Sequence, residues 1–250
     1  MRGVLPRITL PLRRLFLRKH VFLCQAKRHW VLLDVSRDTY QCVGRGQFEA
    51  LGPLLEGWKE PAGTNGEVTG TLPEVVEELA NALVSQGILS EDSAGTKAAL
   101  ATDCLHPAQA INPDDVKPAL WSTWFHAGAF FSSCMRASKE LSRQPLQVTL
   151  EAVRARKTRN MAGSGAPDFD RARSLVLVFN RLRWCYPRPY LCLFDSLALL
   201  HFLARFDLFP DWVFGVSADP FEAHCSVQLG DVVLNDTVER VSGLTPIMYV

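Results

Sequence analysis

Apolar and polar positions alternate in three short runs near the start of the chain. Residues 20–26 (HVFLCQA), 29–35 (HWVLLDV) and 39–44 (TYQCVG) are rich in Val, Leu and aromatics, with polar residues at Lys27-Arg28 and Ser36-Arg37-Asp38 between them. That pattern predicts an antiparallel three-stranded meander. The period then lengthens. Phe48, Leu51, Leu54, Leu55 and Trp58 fall near i, i+3, i+4, i+7 spacing, which predicts a helix over 47–58. Residues 60–70 (EPAGTNGEVTG) read as loop. A second helix is expected from Thr71, with Glu74 completing a capping box three residues on. Its apolar face is Val75, Val76, Leu79, Leu83 and Val84, and Gly87 ends it. Together these elements make a small β-then-α module over residues 1–90.

Periodicity fades over 91–117, which reads as a linker. From Leu120 one long helix is expected, carrying Trp121, Trp124, Phe125, Phe130, Phe131 and Met135. Residues 154–168 (RARKTRNMAGSGAPD) read as a solvated basic loop without a phosphate-loop pattern. Helices over 169–184 and 189–206 follow. Strands are expected over 213–217, 223–229 and 232–236, with Gly230-Asp231 as a hairpin turn. The second domain is therefore 118–250, and the class is α+β.

Composition narrows the function classes. At 250 residues, 48% apolar and 21% charged, the chain reads as one large or two small folded domains. A formal net charge of +1 implies no polyanionic partner, and nucleic acid is not expected. Residues 1–20 carry five Arg and one Lys with no acid. Arg7, Arg13, Arg14 and Arg18 interrupt every candidate secretory h-region, an organellar transit peptide stays open, and a cytoplasmic protein is the default. No apolar run approaches a membrane span. Seven cysteines without a C-x-x-C pair or zinc-like spacing point away from structural disulfides and from a metal site.

Candidate chemistry lies near the C-terminal end. Cys192 follows Pro189 by three residues, in the expected first turn of a helix that is apolar on nearly every face. There the helix dipole and unpaired N–H groups favour a thiolate. A nucleophilic thiol needs a base, and the base an orienting group. His224 on the strand 223–229 supplies the base, while Cys225 faces the other way, into the core. Asn235 and Asp236 are both candidate orienters. A two-residue turn at Gly230-Asp231 sets Leu229 opposite Val232 and Asn235 on the face of His224; a longer loop or a bulge sets Asp236 opposite His224. The order Cys, His, acid is that of papain-like and transglutaminase-like enzymes.

These residues carry a resemblance. CLFDSLALLHFLARF followed by GVSADPFEAHCSVQLGDVVLND resembles the C-terminal domain of the B proteins of lasso-peptide biosynthesis, a transglutaminase-like cysteine protease family. The joint pattern C-L-x-x-S-L-A-L … P-F-x-A-H … N-D covers Cys192 to Asp236. The resemblance implies a papain/transglutaminase-like domain with Cys192 as nucleophile, His224 as base and Asp236 as orienting acid, and so prefers the looped or bulged register. Many relatives carry Trp where this chain has Ser226, a loss expected to open or reshape the site. HWVLLDVSRDTYQCVGRGQFEALGPLLEGW resembles the leader-recognition elements of such pathways, small winged-helix domains related to the PQQ-pathway chaperone. That implies a leader peptide added as a strand beside the third strand, with Tyr40, Cys42, Val75, Leu79 and Leu83 lining the groove.

The expected function is thus a leader peptidase that frees the core of a ribosomally made lasso precursor. Its implied partners are the precursor and an asparagine-synthetase-like lasso cyclase. No cofactor is evident in the chain; dependence on ATP is implied by the resemblance alone. Acyl transfer to an amine and a non-catalytic leader-binding chaperone are the alternatives.

Overall fold

The computed structural model describes residues 13–58, 74–99, 106–111, 120–161 and 168–250. The expected Thr71 cap, the loop over 60–70, residues 1–12 of the basic start and Cys104 lie outside them.

The first described elements are β1 (Phe16–Arg18), β2 (Val21–Ala26), β3 (His29–Asp34) and β4 (Thr39–Gly44). β2, β3 and β4 form the meander, with Val31 paired to Cys24 on one side and Cys42 on the other. Strand alternation gives this sheet two apolar faces. Leu23, Trp30, Leu32 and Val43 enter one core with α1 (Arg45–Leu51) and α2 (Glu74–Ser85). Cys24, Ala26, Val31, Leu33 and Val35 enter the core of the C-terminal half. The expected helix over 47–58 is shorter. Pro53 brings no N–H to the ladder, and the chain tightens into a 3-10 turn at Gly52–Leu54.

The stretch expected as a linker, 91–117, contributes one short strand to each module. β5 (Leu89–Ser90) and β6 (Thr96–Lys97) flank β1, and Ala99 is buried in the first module. β7 (Gln109–Ala110) joins the second module's sheet. Two-residue strands carry no readable period, so composition alone suggested a connection.

Helices follow in series: α3 (Leu120–Phe125), α4 (Ala127–Arg143), α5 (Leu146–Met161), α6 (Phe169–Arg183) and α7 (Cys192–Leu203). The expected long helix divides at His126 (ψ −1°). The expected basic loop is helical through Met161, since Arg, Ala and Lys are strong helix formers. Asp168 caps α6 by accepting the Arg171 N–H at 3.0 Å. α7 is buried between α4, α6 and the sheet. The chain closes with β8 (Asp211–Ala218), β9 (Phe221–Leu229), β10 (Val232–Val233), α8 (Val238–Ser242) and β11 (Thr245–Tyr249), giving the sheet order β11-β8-β9-β10-β7. The C-terminal half is thus helices against one largely antiparallel sheet, with α7 at its centre.

Candidate active site

Cys192 is the first residue of α7, within the expected first turn, and Pro189 stays in the approach to the helix instead of opening it. The approach is organised by a buried cation. Arg183, at the end of α6 and 3% exposed, forms an ion pair with Asp195 through Nε. Its Nη1 donates to the Tyr186 carbonyl at 3.1 Å, and its Nη2 to those of Arg188 and Pro189 at 3.0 Å each. Asp195 in turn accepts the Leu191 N–H at 2.8 Å, and the Leu191 carbonyl accepts the Asp195 N–H at 2.9 Å. The guanidinium therefore meets its desolvation cost with an anion and three carbonyls, and fixes where the helix begins.

Facing this helix start, His224 on β9 is buried and hydrogen-bonds Asp236 through Nε2. That leaves Nδ1 for the sulfur of Cys192, with which the ring also hydrogen-bonds. Asp236 further accepts the Thr237 N–H at 2.8 Å. Asn235 is used elsewhere: its Oδ1 accepts the Val227 N–H at 2.7 Å and its Nδ2 donates to Ser196 Oγ at 3.0 Å. The register is the tight one, Leu229 opposite Val232 and Gln228 opposite Val233, with Gly230 at φ +61° in the turn. Neither a longer loop nor a bulge is present in this hairpin, contrary to the expectation drawn from the resemblance. Asp236 reaches His224 because β10 stops after two residues and the chain leaves the ladder, with Asn235 tying the departing segment to β9 and α7.

The electrostatics follow from these contacts. The Cys192 thiol is pushed down to about 4 by hydrogen bonds from the Cys225 thiol and from His224, against burial, with the Cys225 N–H adding to them. His224 is pushed up to about 9 by Asp236 and then by Cys192, again against burial. Burial alone would raise Asp236, but the bonds from His224 and the Thr237 N–H hold it low. The pair at neutral pH is therefore a thiolate beside an imidazolium. Cys24 and Cys134 go the other way, pushed up to about 12 by burial, and burial also raises Cys225 well above the ordinary thiol range.

An open cleft of about 390 Å³ exposes the pair, lined by Tyr190, Leu191 and Arg183 on the helix side and by Asn235, Asp236 and Arg240 opposite. A polarised thiolate, a proton donor beside it and an open cleft are the parts of nucleophilic acyl chemistry. Among the described residues no group of three or more His, Cys, Asp or Glu side chains is placed to hold a metal ion. No described helix is long and apolar enough to cross a membrane.

The sequence did not single out Arg183 or the contact of Cys225 with Cys192. A cation on the apolar face of a helix, followed by an acid in the first turn of the next, was the available signal for the first. Ser226 does not open the site. It is 2% exposed beside a space of about 10 Å³, closed by Val241, Leu244 and Pro246. Nor do the five expected groove residues line one groove. Leu83 is 2% exposed, in the core of the first module, and Leu79 packs against that core. Val75 is 58% exposed on α2. Tyr40 and Cys42 share the opposite face of β4, and Tyr40 packs toward the C-terminal core, 5.6 Å from the Phe221 ring.

Residues 135–249 match the model of the transglutaminase-like superfamily, so the C-terminal region carries a transglutaminase-like domain. No curated protein and no solved structure matches the chain.

Proposed function

We propose that the protein is a cysteine leader peptidase, cutting the leader from a ribosomally made lasso-peptide precursor. The observation that carries the chemistry is the thiolate–imidazolium pair of Cys192 and His224, oriented by Asp236 at the mouth of the cleft. In this reading the Cys192 sulfur attacks the scissile carbonyl and forms a C–S bond. Unpaired N–H groups of the first turn of α7, that of Cys192 included, receive the oxyanion. The C–N bond breaks as His224 passes its proton to the leaving amine. Water then attacks the thioester with His224 as base, releasing the acid and restoring the thiolate.

The leader specificity is supported by the residue pattern from Cys192 to Asp236 and by the placement of the meander. β4 is an edge of its sheet, with no strand on its outer side among the described residues. The phenol of Tyr40 on that strand is raised by burial first, then by Asp38, Cys225 and Cys192, which places it within electrostatic reach of the cleft. A peptide added along β4 has a short path to the cleft. The released core amine is the substrate of a partner cyclase of the asparagine-synthetase-like type, and ATP is consumed there.

The test is mass spectrometry of a candidate precursor incubated with wild type and with Cys192→Ala, with and without the cyclase and ATP. One cut at the leader–core junction, absent with Cys192→Ala, supports the reading. Transfer of the acyl group to an added amine instead of water would make the protein an acyltransferase. Binding without turnover would make it a leader chaperone.

A further inference from the structure

Three apolar side chains beside the nucleophile are exposed where a folded chain ordinarily covers such groups: Trp184 at 82%, Tyr190 at 60% and Leu191 at 51%. They are not loose. The Trp184 and Tyr190 rings meet edge to face with centroids 6.1 Å apart, and Tyr190 lies over the Arg183 guanidinium at 4.4 Å. The same guanidinium holds the carbonyls of Arg188 and Pro189, immediately ahead of Tyr190. A buried cation therefore fixes the backbone of an exposed apolar shelf, whose Tyr190 and Leu191 line the cleft together with Cys192.

We propose that Trp184, Tyr190 and Leu191 form a preorganised subsite for an aromatic or branched apolar side chain on the acyl side of the bond that Cys192 attacks. The proposal rests on Cys192 being the nucleophile. The side of the bond follows from the proton. The leaving group must sit against His224, which protonates it, so it occupies the wall built by β9 and residues 235–240. The acyl part, retained on the sulfur, is left the wall built by the approach to α7. That wall presents Tyr190 and Leu191 beside the paired Arg183 and Asp195, whereas Asn235, Asp236 and Arg240 face it from the other side. Fixing the shelf in advance spares the cost of ordering rings when substrate arrives.

The test uses two acyl probes, the p-nitrophenyl esters of N-acetyl-phenylalanine and N-acetyl-glycine. Attack by Cys192 forms the thioester C–S bond, breaks the ester C–O bond and expels p-nitrophenolate, whose release is followed by absorbance; water then hydrolyses the thioester. Wild type is expected to release nitrophenolate from the phenylalanine ester about 10- to 100-fold faster than from the glycine ester, after correction for the esters' own hydrolysis. In Trp184→Ala with Tyr190→Ala that ratio is expected to fall to within about threefold of one. Trp184→Ala alone, at a largely exposed position, is expected to lower the ratio by at least about threefold and serves if the double variant does not fold. Alkylation of Cys192 by iodoacetamide reports that the thiolate is intact in each. A wild-type ratio near one, or a ratio unchanged in the variants, overturns the subsite. Release that persists at the wild-type rate in Cys192→Ala, or an absence of release from either ester, overturns the nucleophile reading and the subsite with it.

Discussion

The two ends of α7 each hold a histidine bonded to a carboxylate, and the two pairs behave in opposite ways. At the N-terminal end His224 meets Asp236 and the sulfur of Cys192, and its basicity rises. At the C-terminal end His201, 4% exposed, bonds Glu140 through Nε2 at 2.8 Å, while Arg156 donates to its Nδ1 at 2.8 Å. Burial lowers His201, Glu140 raises it, and Arg156 and Arg136 lower it further. Glu140, which Arg136 also bonds at 2.8 Å, is held down at about 2 by these partners in spite of burial. The ring is then neutral, donating to Glu140 and accepting from Arg156. A histidine–carboxylate pair is thus not a catalytic signature in itself. The third neighbour decides: an acidic thiol raises the basicity of one ring and fits it for the acid–base role proposed above, and a guanidinium makes a neutral structural bridge of the other.

The largest effects should separate the two rings cleanly. His224→Ala is expected to cut the rate of acyl-enzyme formation by about a thousandfold or more, with a melting temperature within a few degrees of wild type. His201→Ala is expected to leave the rate within a few-fold but to cost about 3 kcal/mol of stability, because Arg156 and one oxygen of Glu140 lose a buried partner. Denaturant unfolding beside nitrophenyl-ester kinetics reads both. A rate loss in His201→Ala as large as in His224→Ala would break the contrast.

Arg183 connects stability to chemistry, as neither ring alone does. Arg183→Met removes a buried charge that holds Asp195 and three carbonyls, and is expected to cost about 3–5 kcal/mol. In the folded fraction the start of α7 is expected to loosen and the Cys192 thiol to titrate higher. Arg183→Lys keeps the charge but not the fork of donors, so it should restore part of the stability and little of the thiol acidity. The thiolate absorbance near 240 nm, followed against pH, tells the two variants apart.

A smaller loss is expected on the far side of His224. Ser226→Trp places a large ring against a space of about 10 Å³, room for no more than about one water, so Val241, Leu244 and Pro246 must move. The expected cost is about 1–3 kcal/mol, measured by denaturant unfolding. Equal or greater stability would show that α8 and β11 shift without strain.

How much of this was legible in the residues depended on range. The meander was readable because three strands in succession repeat one alternation. The approximate place of α7 was readable from its apolar run, but its first residue was not, since that boundary is set by Arg183 on another helix. Cys192 and His224 stood out from their local settings, a helix start and a strand face. The choice between Asn235 and Asp236 did not, because strand register extrapolates only as far as the ladder, and β10 ends after Val233. Tyr40 was misplaced for a related reason. Alternation puts it on one face of β4, but only the tertiary structure shows that this face meets the C-terminal half. The helical run 154–161 was missed because its basic residues carry propensity without an apolar stripe.

The finest test concerns Cys225, which alternation marked as a core residue and which is buried, yet touches the reactive sulfur. Its own thiol is held protonated by burial, so it remains a donor over the pH range in which Cys192 is a thiolate. Two acceptors compete for that proton. Ser196 Oγ lies 3.8 Å from the Cys225 sulfur, a weak contact to a neutral hydroxyl that already donates to the Cys225 carbonyl at 3.3 Å. The Cys192 sulfur is an anion, and a charged acceptor takes the proton. Wild-type Cys192 should therefore alkylate at a nearly constant rate from about pH 5 to 8 and lose reactivity as pH falls through about 4, where the sulfur is protonated. Cleavage of an amide bond should fall also as pH rises through about 9, where His224 loses the proton it must deliver to the leaving amine; the nitrophenyl ester, whose leaving group departs as the anion, should lack this limb. Cys225→Ala removes one donor and leaves the backbone N–H, so the acid limb should move up by about one pH unit, equivalent to about 1.4 kcal/mol. Cys225→Ser restores a donor of similar size and should return the limb most of the way, whereas a packing effect would move both variants alike. The same substitutions leave His201 and Glu140 untouched at the other end of α7. A shift confined to the acid limb would place the effect on the thiol rather than on the fold.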